Sequence, residues 1–173
     1  MSNEKKKYLL KCKTNEAFTI KVLIDCLNKC INSSVCFIFT KNQITLSSTS
    51  ENNVDNDNDK KSRNILCHLC LESKNFVNYV CNNDIIYVGI NINHLYKMIK
   101  AVKRKDSITF FILDNKPDEL GFTIEHDQHQ TTTTLKILNI QPYITELPDS
   151  SNPYDTPILC STKEFQNMAK NIE

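Results

Sequence analysis

The sequence predicts an α+β domain: a mostly antiparallel sheet with two helices on one face. Three observations predict it. Short segments of β-branched and aromatic residues dominate the chain. Only two stretches before residue 140, 17–31 and 91–103, carry apolar residues at helical spacing. The segments are joined by short polar turns rich in Asn and Asp.

The elements follow in order. Residues 8–12 form an apolar run that reads as a strand. Thr14 stands as a helix cap, with Ala17 three residues on and no full capping box. Ile20, Leu23, Leu27 and Ile31 then share one helical face, while Lys21, Asp25 and Lys29 share another. Ser33 and Ser34 end that helix. Residues 35–39 and 44–46 make a hairpin about Lys41-Asn42. Residues 50–64 are almost wholly polar and read as a disordered insertion, because such a segment buries too little surface to offset its ordering entropy.

Strands resume at 65–71, 76–80 and 84–90. A second helix is expected over 91–103, with Ile92, Leu95, Ile99 and Val102 inward. Strands at 107–113, 119–125 and 132–140 follow, with turns at 115–118 and 126–129. Residues 141–156 are polar, contain Pro142, Pro148 and Pro153, and read as an extended linker. A strand at 157–161 and a helix from Thr162, with Phe165, Met168 and Ala169 on one side, close the chain.

Composition excludes several classes. With 173 residues and 40% hydrophobic content, one packed domain and the start of a second are feasible. Only 2 glycines occur and no glycine-rich phosphate loop is present, so nucleotide chemistry has no support. No apolar run approaches the roughly 20 residues of a membrane helix, so no membrane association is expected. The N-terminus lacks the apolar core of a secretory signal, and the chain reads as intracellular. The 8 cysteines then read as free thiols, with Cys26, Cys36 and Cys81 inside apolar runs.

The metal and catalytic signals are weak. Cys67 and Cys70 have zinc-ligand spacing, but three residues apart on a strand they point to opposite faces. His126 and His129 fall in a predicted turn and read as solvated. Cys26 and Cys30 are four apart on the first helix and read as packing residues. No nucleophile comes with a catalytic signature. No catalytic residue, metal or cofactor is therefore assigned.

The strongest surface signal is cationic. Lys97, Lys100 and Arg104 recur at spacings of three and four, with Lys103 and Lys105 beside them. The first helix adds Lys21 and Lys29. One such stripe is an ordinary solvated face. Two, at equivalent places in the pattern and without interleaved aromatics, suit sequence-independent phosphate contacts.

The segment 88–100, VGININHLYKMIK, resembles the strand-to-helix junction in the first domain of the proliferating cell nuclear antigen family. The shared features are the glycine, the asparagine two residues on, and the lysines at Lys97 and Lys100. Lys21-Val22-Leu23 is similar to the family's first helix. Residues 106–109 and 120–125 fit the next hairpin. Leu135-Lys136-Ile137-Leu138 with Glu146-Leu147-Pro148 resembles the last strand and the interdomain connector. Residues 161–172 resemble the opening of the second domain.

The resemblance implies a DNA clamp fold and a sliding clamp: a non-enzymatic DNA polymerase processivity factor that encircles duplex DNA and acts in replication and repair in the nucleus, with a viral or cytoplasmic site of action as the alternative. It implies DNA contacts from Lys21, Lys29, Lys97, Lys100, Lys103 and Arg104. It also implies that DNA polymerase and other proteins bearing a clamp-interacting motif dock beneath the connector, on Leu147, Pro148 and Tyr154. The expected division is a clamp domain over 1–138, a connector over 139–156 and the start of a second domain over 157–173. The family's ring is a homotrimer of two-domain chains. This sequence ends in the first helix of the second domain, so it reads as a fragment or as a chain that another completes. Alternatives are a checkpoint-clamp subunit, a clamp-fold interaction module that does not encircle DNA, and a small metal-dependent enzyme built on Cys67, Cys70 and the histidines.

Overall fold

Each of the first two helices carries the chain from one sheet to the other. The computed structural model describes residues 7–31, 34–49, 65–144 and 159–171. In chain order its elements are β1 (Tyr8–Thr14), α1 (Ala17–Cys30), β2 (Ser34–Thr40), β3 (Gln43–Thr49), β4 (Leu66–Glu72), β5 (Asn78–Cys81), β6 (Ile85–Asn91), α2 (Ile92–Ile99), β7 (Ser107–Leu113), β8 (Lys116–His126), β9 (His129–Lys136) and α3 (Thr162–Lys170). A 3-10 turn, Ser73–Asn75, precedes β5.

The expected single sheet is two. One has the order β5-β1-β7-β8-β9 and the other β4-β3-β2-β6. Every strand pairing in them is antiparallel. β5 and β6 are neighbours in sequence but lie in different sheets. α1 leads from the first sheet to the second, and α2 leads back. The two helices therefore run in opposite senses: Lys21 of α1 reaches Val102 past the end of α2, while Lys29 feels Tyr96.

Both sheets and both helices share one core. Leu10 and Cys12 of β1, Ile108 and Ile112 of β7, and Leu120 and Phe122 of β8 face inward from the first sheet. Phe37, Phe39, Ile44, Leu46, Val88 and Ile90 do so from the second. Ile24 and Leu27 of α1 and Ile92, Leu95 and Ile99 of α2 complete it. Period-2 alternation puts the first two sets on one face of each sheet, and helical spacing puts the third on one stripe of each helix.

Several local readings change. Thr14 ends β1 instead of capping α1; its hydroxyl accepts from the Glu16 N–H at 3.0 Å, and Glu16 is the N-cap. Ile24, not Leu23, is the fully buried residue in the middle turn of α1. The hairpin turns are tighter than expected. Lys116, Pro117 and Asp118 are already in β8, and His126 pairs with His129 around Asp127, whose φ is 47°. β9 ends at Lys136. Residues 159–161 are not strand; Ser161 instead caps α3 with a full capping box through Glu164. The insertion at 50–64 lies outside the described residues.

After β9 the chain crosses to the edge of the second sheet. The Leu138 N–H donates to the Gly89 carbonyl at 2.8 Å. A Cβ on residue 89 would overlap the Leu138 carbonyl oxygen. Glycine stands there because another backbone lies on it.

Candidate nucleic-acid interface

α2 presents two unlike faces. Asn91 starts it by accepting the His94 N–H at 3.0 Å, an asparagine N-cap. Ile92, Leu95 and Ile99 turn inward. Lys97 and Lys100 turn to solvent. The helix stops at Ile99, four residues short of expectation, so Arg104 does not continue the stripe of Lys97 and Lys100.

The cause lies in Asp106. Its carboxylate accepts the Lys103 N–H at 2.8 Å, and its own N–H donates to the Lys103 carbonyl at 3.2 Å. An aspartate that bonds nearby backbone in this way offers the chain an alternative to the helix. Lys103, Arg104 and Lys105 thereby sit, exposed, in a closed turn.

His126 braces that turn from β8. Its Nδ1 lies 2.5 Å from Asp106 Oδ1, and because a carboxylate only accepts, the imidazole donates. His126 is thus not the merely solvated turn residue expected. Asp106 is 3% exposed. Burial raises its pKa, but the Lys103 N–H and His126 more than offset this and hold the carboxyl below its usual range. Its unfolded-state pKa is about 3.9, so the stability it contributes is full above that value and is lost as pH falls through the depressed folded pKa. We predict that Asp106→Asn costs about 1–3 kcal/mol at neutral pH. Urea melts should show this gap closing in acid; an equal gap at pH 7 and pH 3 would rule the charge out as its source.

α1 faces the same region. The Lys21 ammonium donates to the Val102 carbonyl at 3.1 Å, just beyond α2. It also lies 5.5 Å from the centroid of the Phe18 ring, and the Arg104 guanidinium carbon lies 5.5 Å from the same centroid. Lys29, at the far end of α1, is paired with Asp25 at 2.9 Å. That hydrogen bond and charge raise its pKa, and they offset its charge locally.

Several cations away from α2 are held by carboxylates. Lys13, Lys41, Lys74 and Lys116 each meet a carboxylate within 3.3 Å. Among the described residues no carboxylate lies within 4.0 Å of the charged side-chain nitrogens of Lys97, Lys100, Lys103, Arg104 or Lys105. These exposed cations without a carboxylate partner leave the surface on and after α2 locally cationic.

Comparison with known proteins fits this architecture. Residues 9–143 match the model of the proliferating cell nuclear antigen N-terminal domain. This chain belongs to the proliferating cell nuclear antigen family. It is 26% identical over 164 residues to a probable DNA polymerase sliding clamp 1 of Paramecium bursaria Chlorella virus 1, covering 95% of this chain and 58% of that protein. It is 25% identical over 166 residues to proliferating cell nuclear antigen 1 of Plasmodium falciparum, covering 95% and 56%. A probable DNA polymerase sliding clamp of Autographa californica nuclear polyhedrosis virus is 28% identical over 107 residues, covering 62% and 40%. The chain thus spans about half the length of the curated relatives it matches.

On β4, Cys67 lies with Leu69 and Leu71 on the inner side, and Cys70 lies with His68 on the outer. Cys67 neighbours Cys30 instead, a contact that spacing alone did not reveal. No three His, Cys, Asp or Glu side chains converge among the described residues. Burial first, then the neighbouring Cys81, pushes the Cys12 thiol up to about 12, far from the thiolate a nucleophile needs. Leu147, Pro148 and Tyr154 lie outside the described residues. No described helix is long and apolar enough to cross a membrane.

Sequence reasoning missed Phe18, Asp106 and His126. Phe18 carried a signal: it precedes Lys21 by three residues, one helical turn. Asp106 and His126 carried none, since 20 residues separate them.

Proposed function

We propose that this chain is the N-terminal clamp domain, connector and second-domain start of a DNA sliding clamp, with divisions at 1–138, 139–156 and 157–173. The observation that carries this is the set of unpaired, exposed cations on and after α2, in a chain of this family. They face duplex phosphates without reading bases. Lys97, Lys100, Lys103 and Arg104 make the principal contacts, Lys21 contributes through its remaining protons, and Lys29 contributes less because Asp25 holds it. The work is topological: a ring of such domains, a homotrimer of two-domain subunits, retains DNA while weak contacts let it slide. That task needs no catalytic group. DNA polymerase and other motif-bearing proteins dock at Leu147, Pro148 and Tyr154. The site of action is wherever that replication occurs, a nucleus or a viral replication centre.

The test is a salt titration of the chain on two duplexes of unrelated sequence. Five phosphate contacts predict equal affinities and a slope of log K against log salt of about −4.5. Strong preference for one duplex, or a slope near zero, would sink the proposal.

A further inference from the structure

A charge held by a carboxylate is positioned but neutralised, as Lys29 is by Asp25. A charge held by an aromatic ring is positioned and kept. The ring face attracts a cation through its quadrupole, carries no net charge, and occupies none of the cation's N–H donors. Phe18 does this for two cations from two separate segments. Lys21 comes from its own helix, one turn on. Arg104 comes from the turn that Asp106 closes after α2. Each lies 5.5 Å from the ring centroid, inside the range of about 6 Å over which the attraction acts.

The surroundings make this a built feature. Phe18 is half-buried, in the first turn of α1. Lys21 is tied a second time, by one proton on the Val102 carbonyl, which leaves two protons directed elsewhere. Arg104 meets no carboxylate among the described residues and retains its donors. Two like charges that water would let drift apart are kept within twice 5.5 Å of each other.

From this geometry we infer that Phe18 is a positioning residue: it clips Lys21 and Arg104 onto the cationic surface, so that α1 and the turn after α2 present one joint phosphate contact. The inference rests on the DNA-binding reading above. It predicts that the aromatic ring, not merely apolar bulk at residue 18, sets part of the affinity for duplex phosphates.

The test compares the full chain with Phe18→Leu, Phe18→Tyr and the Lys97→Ala/Lys100→Ala double variant on a duplex across a salt series. Phe18→Leu is expected to lose about threefold in affinity and to lower the salt slope by about one, while Phe18→Tyr stays at the wild-type values. The wild-type protein offers a second readout, needing no variant. Lys21 and Arg104 methylene protons held over the ring resonate upfield of their random-coil positions. Wild-type binding by a folded Phe18→Leu, while the double lysine variant binds weakly, would overturn the clip and leave the DNA reading standing. Wild-type binding by both variants would overturn both. Absence of the upfield shifts would overturn the clip by itself, even if Phe18→Leu proved unstable.

Discussion

Replacing Lys97 and Lys100 by alanine together is expected to weaken duplex association about fifty-fold at 0.1 M salt and to reduce the salt slope by about 2. The magnitude follows from counterion release: each phosphate contact contributes a slope of about −0.9, roughly eightfold between 1 M and 0.1 M salt. Both side chains are exposed and neither meets a carboxylate among the described residues, so no buried partner is stranded by their removal. Alanine is also a better helix former than lysine, so the thermal midpoint should hold or rise slightly. Fluorescence anisotropy on a labelled duplex reads the affinity, and a thermal melt reads the fold. Unchanged affinity with an intact fold would remove α2 from the interface.

The second large effect is on stability. Ile99→Ala is expected to cost about 2–5 kcal/mol. Ile99 is 0% exposed and closes the inward stripe that Ile92 and Leu95 begin. α2 has 8 residues, well below the ~12–15 at which an isolated helix becomes even marginal in water. It exists because that stripe is packed, and the same packing aims Lys97 and Lys100 outward. A urea melt should show the midpoint falling with the slope unchanged. Met98→Ala, next door on the exposed side, should stay within about 0.5 kcal/mol of wild type. Equal effects at 98 and 99 would mean that α2 does not dock as described.

Helical periodicity accounts for the two faces of α2 but not for where the helix ends. Ile92, Leu95, Ile99 and Val102 were legible as the inward face because burial repeats with the helix, and all four are buried. By the same rule Lys97 and Lys100 had to point out. The rule failed at the helix end. Arg104 fits the spacing of a continued helix, yet the chain turns, because Asp106 captures the Lys103 N–H and His126 secures Asp106. Propensity sees neither bond: the first depends on a local conformation, the second on β8 lying beside that turn.

Gly89 shows the same division. The sequence marks it as a shared feature of a strand-to-helix junction. Only the fold supplies its reason, the Leu138 backbone lying where a side chain would begin.

The sequence by itself determined the α+β class, nearly every strand, both core helices and the outward lysines of α2, since these depend on local periodicity and composition. The tertiary structure decided the rest: two sheets instead of one, the early end of α2, and Phe18 holding Lys21 and Arg104 together. Each of those depends on residues distant in sequence meeting in space, and no local pattern records which of them will meet.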